Sequence, residues 1–280
     1  MNPGRAGTVG LVAGEGELPV AAAEALEATG ARLTVVALNG LASTKIAVRG
    51  RDVVWVPVGR LQALVDALRA GGAGDVIMMG RVHIKNIYDP SLFDRRFAAL
   101  LAGLTDRRGS AILNAVVRDL EGEGFNVIPG LEAAPGLVAG EGSIAGPEIS
   151  SSQMDDVIFG LPVARNVADL DIGQTVIVKG RSVVAVEGME GTDKAIARGG
   201  NLAGGQIVVV KVVGSGHNFN FDVPTVGPRT IRSLIQAGCG AMAIEAGKCF
   251  LIGKDEVVDL CEKHGISLVG IGDNFPGRYS

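Results

Sequence analysis

The sequence predicts an α/β fold of two domains, with an N-terminal Rossmann-like parallel sheet covered by helices and a C-terminal α/β domain. Of the 280 residues, 47% are hydrophobic and 20% are charged, so the chain can bury two cores. Short apolar runs alternate with helical runs on both sides of residues 129–150. That stretch is rich in Gly, Pro and small residues without periodicity, as is typical of a domain boundary. We therefore expect domains over residues 1–130 and 151–280, joined by a linker region over 131–150.

Strand-like and helix-like segments alternate along much of the first domain. Pro19 and Gly30 mark the start and the end of an alanine-rich helix, because Pro is favoured in a first helical turn and Gly just after a last one. Since helices separate most of the apolar runs, we expect parallel strands. Strands are predicted at 8–13, 33–38, 53–58, 75–80 and 125–128, and helices at 19–30, 61–70, 91–103 and 110–124.

The second domain resumes the same alternation after the boundary. It begins with a long helix and ends with an apolar strand. Strands are predicted at 174–180, 182–188, 206–213, 241–247 and 266–272, and helices at 153–170, 190–199, 228–238 and 254–265.

Composition excludes several classes of protein. The net charge of −4 and the lack of a basic stripe argue against a nucleic-acid partner. No apolar run approaches the ~20 residues that span a bilayer, and the N-terminus lacks the apolar core of a signal peptide. Three cysteines without a C-x-x-C pair are expected to be reduced and buried, as in a cytosolic protein, and three scattered histidines do not predict a zinc site. These residues are Cys239, Cys249, Cys261, His83, His217 and His264.

A glycine turn, GEGELP, joins the first strand to the first helix. Gly14, Glu15 and Gly16 would expose backbone N–H groups at a helix N-terminus, where phosphate binds well. The turn therefore predicts either a nucleotide or sugar-nucleotide phosphate site, or a tight turn without a ligand. NAD binding is disfavoured, because Pro19 replaces the third glycine of the fingerprint and the second strand ends in Asn39 where an acid is expected.

A second turn, VEGMEGTDK (186–194), brings three acids and a hydroxyl between a strand and a helix. Thr192 or Asp193 could simply cap the helix. Alternatively the turn binds a ligand, since α/β proteins bind ligands at the carboxyl ends of strands. Lys179 and Lys211 lie in predicted strands. Each is either an edge residue whose side chain points to solvent or a residue whose charge is directed at an anion. Acids with lysine would suit a complex of Mg²⁺ and phosphate. The candidates are Glu187, Gly188, Glu190, Gly191, Thr192, Asp193, Lys179 and Lys211.

The stretch HNFNFDVPTVGPRTI (217–231) places one acid, Asp222, before a turn stiffened by two prolines and a glycine. It is either an ordinary Asp in a rigid turn or a preorganised catalytic carboxylate. Phe219 and Phe221 would then line an apolar cavity beside it. Thr225 lies in the same turn.

Three segments together resemble the LpxI family of UDP-2,3-diacylglucosamine pyrophosphatases. They are GLVAGEGELPVAAAEAL (10–26), DIGQTVIVKGRSVVAVEGMEGTD (171–193), and VVVKVV with FDVPTVGPRTI (208–231), and LEGEGFNVI (120–128) also fits. The resemblance covers nearly the whole chain. It implies hydrolysis of UDP-2,3-diacylglucosamine to UMP and 2,3-diacylglucosamine 1-phosphate (lipid X) with Mg²⁺, in lipid A and hence lipopolysaccharide biosynthesis.

The resemblance also implies roles for domains and residues. The first domain would bind the nucleotide, with Gly14, Glu15 and Gly16, and the second would be the catalytic and lipid-binding domain. The family's essential aspartate falls on Asp222. Lys211 and Asp193 would join Asp222 in catalysis, Asp222 and Asp193 would bind the metal, and the remaining candidates, Thr225 among them, would bind substrate.

The same resemblance implies a cytoplasmic enzyme in peripheral contact with the inner membrane. It leaves open whether the protein forms a homo-oligomer. Two other functions remain as alternatives. One is a regulator that binds a nucleotide or lipid without catalysis, and the other is an NAD-dependent oxidoreductase that uses the GEGELP turn.

Overall fold

The computed structural model describes residues 7–47, 50–82, 90–215, 219 and 223–272. They form two compact units. The first contains the described residues up to Gly136 together with Phe219, and the second contains Leu137 to Ser215 and Val223 to Gly272. The Gly-rich region 131–150 is more than a connection, because it contributes a strand to the sheet of the second unit. Its composition did not reveal that strand, which is only four residues long.

The first unit is a parallel sheet with helices, as the sequence predicts. Its strand order is β3-β2-β1-β4-β5, and every pairing is parallel. In chain order the elements are β1 (Thr8–Ala13), α1 (Leu18–Ala28), β2 (Arg32–Asn39), β3 (Val53–Pro57), α2 (Leu61–Ala70), β4 (Ala73–Met79), α3 (Arg95–Ala102), α4 (Gly109–Gly122), β5 (Asn126–Val127) and α5 (Gly130–Ala133).

The order of these strands reverses between β1 and β4. From β1 the chain moves outward through β2 and β3, and it then returns to place β4 on the other side of β1. The helix α2 makes this return and buries Leu61, Leu64, Val65 and Leu68 in the core, one face of its 3.6-residue period. In open α/β sheets a ligand binds outside the carboxyl ends of the strands at such a reversal. The GEGELP turn lies there, directly after β1.

The second unit is built on a mixed sheet of six strands, in the order β6-β13-β11-β9-β7-β8. The three strands β9, β11 and β13 are parallel, whereas β7 runs antiparallel to β9 and β6 antiparallel to β13. A separate parallel pair joins β10 to β12. The elements are β6 (Gly142–Ala145), α6 (Ser151–Asp169), β7 (Thr175–Val178), β8 (Val183–Val186), α7 (Thr192–Ala203), β9 (Ile207–Lys211), β10 (Thr225–Val226), α8 (Pro228–Gln236), β11 (Cys239–Glu245), β12 (Phe250–Leu251), α9 (Lys254–His264) and β13 (Ser267–Ile271).

Strand β9 lies in the middle of this sheet and is buried on both faces. Val208 and Val210 pack in the cluster that includes α6, and Ile207 and Val209 pack in the cluster that includes α7 and α8. Since side chains alternate along a strand, Lys211 continues the second series and lies on the face of α7. The sequence left open an edge lysine in solvent, but the central position of β9 excludes that interpretation.

The cysteines are free and buried, as expected. Burial raises the pKa of Cys239 and Cys249 to about 12 and the pKa of Cys261 to about 11. At neutral pH they are therefore neutral thiols packed as small apolar groups. Within the described ranges, no helix is long and apolar enough to cross a membrane.

Two glycines in β-strands give a test of how closely the strands approach neighbouring backbone. A Cβ added to Gly270 in β13 would lie 1.9 Å from the carbonyl oxygen of Gly140, whereas a Cβ on Gly74 in β4 would meet no atom within 4 Å. We expect Gly270→Ala to lower the free energy of unfolding by about 2 kcal/mol or more, because the backbone must move. Gly74→Ala should change it by less than about 1 kcal/mol. Urea unfolding measures both, and equal midpoints would contradict the close approach of β13 to the Gly140 carbonyl.

Candidate active site

Lys211 ends the central strand β9, and its ammonium group lies in a polar cluster. Its side chain is 7% exposed. Nζ donates hydrogen bonds to Thr175 Oγ1 at 3.1 Å and to Thr192 Oγ1 at 3.0 Å. It also forms an ion pair with Glu187, with 3.8 Å between Nζ and Oε2. The positive charge is therefore fixed in place by two hydroxyls and a carboxylate.

The strand directions explain why these four residues meet. Because β7 is antiparallel to β9, its first residue, Thr175, pairs directly with Lys211. Glu187 follows the end of β8, and its amide donates to the Thr175 carbonyl at 2.9 Å. Thr192 then opens helix α7 after the glycine N-cap, Gly191, whose φ is +85°. All four positions therefore fall on the edge of the sheet where β9 and β11 end.

Glu187 has one satisfied and one unsatisfied oxygen. Oε1 accepts a hydrogen bond from Thr192 Oγ1 at 2.8 Å. Oε2 is buried and accepts no hydrogen bond from the described part of the chain, although it faces the Lys211 ammonium group. A buried acceptor without a donor is uncommon in folded proteins, and it is often satisfied by a ligand or by water. The first-turn amides of α7 add the positive end of a helix dipole to the same place.

Asp193 lies beside this cluster and is oriented toward α8. Its Oδ1 accepts a hydrogen bond from Ser233 Oγ at 3.1 Å, and its Oδ2 pairs with Arg229 Nε at 2.9 Å. The Arg229 side chain is 82% exposed, so a ligand could displace it at little cost. Thr225 donates from Oγ1 to the Val223 carbonyl at 3.1 Å and thereby closes its own turn.

Glu190 and Gly188, which lie in the turn 186–194, are held by contacts within or beside that turn. Glu190 accepts from Arg198 Nη2 at 2.5 Å and from the Gly188 amide at 3.0 Å. The hydrogen bond from Arg198 is the main cause that lowers the pKa of the Glu190 carboxyl. Gly191 donates to the Gly188 carbonyl at 3.2 Å. These contacts shape the turn that presents Glu187 and Thr192.

Lys179 is not brought into the cluster. It follows β7, and because β7 is antiparallel to β9 it lies at the opposite edge of the sheet. Its Nζ donates to the carbonyls of Ala203 at 2.7 Å and Gly205 at 2.9 Å, at the end of α7. A lysine at the C-terminus of a helix complements the negative end of the dipole. The contacts of Lys179 are thus those of a helix cap.

In the first unit, the GEGELP turn is tied to the loop after β4. The amide of Gly14 donates to the Met79 carbonyl at 2.7 Å, and that of Glu15 donates to the Arg81 carbonyl at 2.8 Å. The expectation that these two amides are exposed for phosphate is therefore wrong. A Cβ on Gly14 would lie 2.8 Å from the Arg81 carbonyl oxygen, so packing requires glycine there. Gly16, with φ of +107°, and the first turn of α1 remain for a ligand.

Asp222, His217 and Phe221 of the aromatic stretch lie outside the described residues, as does His83. Phe219 belongs to the first unit, where its carbonyl accepts a hydrogen bond from the Gly130 amide at 3.0 Å.

The sequence alone did not predict Thr175 as a site residue, since no local signal shows which end of an antiparallel strand reaches the site.

The fold and the cluster define a two-unit α/β protein with a charged site at the carboxyl edge of a sheet, where α/β enzymes act. Residues 8–137 match the family model of the LpxI N-terminal domain, and residues 140–269 match that of the LpxI C-terminal domain. The chain is 30% identical over 275 residues to the UDP-2,3-diacylglucosamine pyrophosphatase LpxI of Caulobacter vibrioides, an alignment that covers 94% of this chain and 97% of the relative. The chain belongs to the LpxI family, as the sequence motifs indicated.

Proposed function

We propose that this protein hydrolyses the diphosphate of UDP-2,3-diacylglucosamine to UMP and 2,3-diacylglucosamine 1-phosphate, lipid X, a step of lipid A biosynthesis. Membership of the LpxI family and the name of the relative from Caulobacter support this reaction. The observation that carries the proposal is the buried ammonium group of Lys211, held by Thr175 and Thr192 at the carboxyl edge of the sheet. Fixed positive charge at such an edge is what a diphosphate requires.

The chemistry of the cluster suits phosphoryl transfer to water. Negative charge builds up on the phosphate oxygens in the transition state, and groups that are already oriented stabilise it most. Lys211 cannot swing away, because its two hydroxyl partners sit on different elements, β7 and α7. The open Oε2 of Glu187 would accept a hydrogen bond from the substrate or from a bound water. Asp222 would orient or deprotonate the attacking water, as the family motif implies.

Magnesium is proposed as the cofactor, and the residues present fit it in part. Among the described residues no group of three or more His, Cys, Asp and Glu side chains could hold a metal ion. However, Mg²⁺ is commonly bound by one or two carboxylates together with substrate phosphates. Asp193 and Asp222 are the carboxylates that we assign to it. When bound, the ion would neutralise charge on the diphosphate and activate water.

The two ends of the substrate suggest further assignments. The turn of Gly14, Glu15 and Gly16 lies at the strand reversal of the first sheet, so we assign the nucleotide half to it, through Gly16 and the first turn of α1. The second unit would bind the acylated sugar. A diacylated substrate resides in a bilayer, so we propose peripheral action at the cytoplasmic face of the inner membrane.

The test is the identity of the products. Purified protein with UDP-2,3-diacylglucosamine and Mg²⁺ should release UMP and an equal amount of the sugar 1-phosphate, measured by mass spectrometry. EDTA should stop the reaction and added Mg²⁺ should restore it, because the ion carries part of the charge stabilisation. Continued hydrolysis in EDTA would remove the metal from the proposal. Binding without UMP release would instead support a regulator, and binding of NAD(H) an oxidoreductase.

A further inference from the structure

An exposed arginine, Arg229, pairs with the acid that follows Thr192. Its Nε lies 2.9 Å from Asp193 Oδ2, and its side chain is 82% exposed. Thr192 and Asp193 are the first two residues of α7, and the Thr192 hydroxyl accepts a hydrogen bond from Lys211 Nζ at 3.0 Å. Two consecutive residues therefore connect Arg229 to the Lys211 cluster, and all four residues belong to the second unit.

The directions of the helices explain why Arg229 reaches this place. Helix α8 leads directly into β11, which is parallel to β9, so α8 begins at the edge of the sheet where Lys211 lies. Arg229 and Ser233 are one turn apart on the same face of α8. Since Ser233 Oγ donates to Asp193 Oδ1 at 3.1 Å, that face is turned toward the start of α7. The guanidinium group of Arg229 thus lies at the edge that carries the buried ammonium group.

The position of Arg229 is unfavourable for the stability of its own helix. A cation in a first turn faces the positive end of the helix dipole, and the first turn of α8 has no acidic residue. Helix α9 has the favourable arrangement, with Asp255 and Glu256 in its first turn. An ion pair as exposed as that of Arg229 contributes little to stability, and Asp193 would keep its bond from Ser233 if Arg229 moved away. Arg229 can therefore leave Asp193 at little cost.

We propose that Arg229 leaves Asp193 when substrate binds and that its guanidinium group then binds a phosphate of the diphosphate. The inference rests on the proposed function for the identity of the substrate. A guanidinium group presents coplanar N–H donors that match two phosphate oxygens. Lys211 is held by two hydroxyls, whereas the exposed Arg229 can adjust to the ligand. Its departure also opens Oδ2 of Asp193 for the Mg²⁺ that we assign to that carboxylate.

Binding of inorganic pyrophosphate in EDTA tests this role without turnover and without metal. Arg229→Met should raise the Kd, measured by calorimetry, about tenfold or more, as the loss of a hydrogen bond between charged groups does. Arg232 is the matched control, since it lies on the same helix and pairs with Glu256 of α9, and its side chain is 54% exposed. Arg232→Met should leave the Kd within about twofold of the wild-type value, because a distant exposed charge is screened.

Asp193 requires a separate control, because Arg229→Met also leaves its carboxylate unpaired near the bound anion. The same substitution is therefore made in the Asp193→Asn protein. A guanidinium group that binds phosphate itself gives a similar rise in Kd in both backgrounds. One that only neutralises Asp193 gives no rise in the Asp193→Asn background.

Three results would overturn the proposal: no binding of pyrophosphate to the wild type, an unchanged Kd in Arg229→Met, or a rise in Kd that vanishes in the Asp193→Asn background. With UDP-2,3-diacylglucosamine and Mg²⁺, kcat/KM should fall about tenfold or more in Arg229→Met and stay within about twofold of wild type in Arg232→Met. If the wild-type protein releases no UMP, the proposed function fails, while the pyrophosphate titrations still show whether Arg229 binds a diphosphate.

Discussion

Asp222→Asn is expected to lower kcat by about 10³-fold, within the range that loss of a general base produces. The change keeps the shape of the side chain and removes its charge and basicity. Because we propose that the carboxylate acts on water or on the metal in the transition state, the loss should fall on kcat. The affinity for substrate should stay the same or become tighter, since a negative charge near a diphosphate is removed. The measurement is kcat by UMP release together with substrate affinity by calorimetry.

A matched variant separates this effect from a general loss of charge. Asp259 is exposed on α9, and Asp259→Asn should hydrolyse substrate at the wild-type rate. If a folded Asp222→Asn protein turns over near the wild-type rate, the catalytic assignment is wrong, and Glu187 and Asp193 become the next candidates.

Lys211→Met is expected to lower kcat by about 10²- to 10³-fold, because we propose that its preorganised positive charge stabilises the reacting diphosphate. Methionine preserves most of the length and the apolar stem of lysine. The change also removes the cation that pairs with Glu187, and removal of one partner of a buried pair costs about 3 kcal/mol or more of stability. Both the rate and the free energy of unfolding should therefore fall.

The two effects separate in the double variant Lys211→Met/Glu187→Gln. Removing the second charge should restore much of the lost stability, because no uncompensated carboxylate remains. The rate should not recover, since the ammonium group is still missing. Recovery of the rate together with stability would show that Lys211 serves folding only, and would remove it from the catalytic centre.

The periodicity of apolar residues in the local sequence was sufficient to predict most of the fold. Strands such as β1 and helices such as α2 have apolar patterns that belong to one type of element, and the structure confirms them. The strands and α-helices that were not predicted, β6, β10, β12 and α5, have two to four residues each. Such short segments carry no period, and the strands among them form only because a distant strand lies alongside.

The residues of the candidate site were predictable where they lie in one segment of the sequence. They were less predictable where strand direction decides which residues meet. Glu187 and Thr192 stand together in one turn, so the sequence placed them together with a candidate ligand. Thr175 and Lys179 begin and follow the same strand, and only the antiparallel pairing of β7 shows that Thr175 reaches Lys211 and that Lys179 lies at the other edge.

The two lysines of the second sheet offer a direct comparison. Lys211 and Lys179 each donate two hydrogen bonds and lie at opposite edges, so Lys211→Met and Lys179→Met are the same chemical change at two places. The measurement is kcat for UMP release from UDP-2,3-diacylglucosamine by both variants and by the wild type, well below their unfolding midpoints. We expect a loss of about 10²-fold or more for Lys211→Met and a rate within about threefold of wild type for Lys179→Met. A Lys211→Met protein as active as wild type, or an equal loss in both variants, would contradict a catalytic centre at the Lys211 edge.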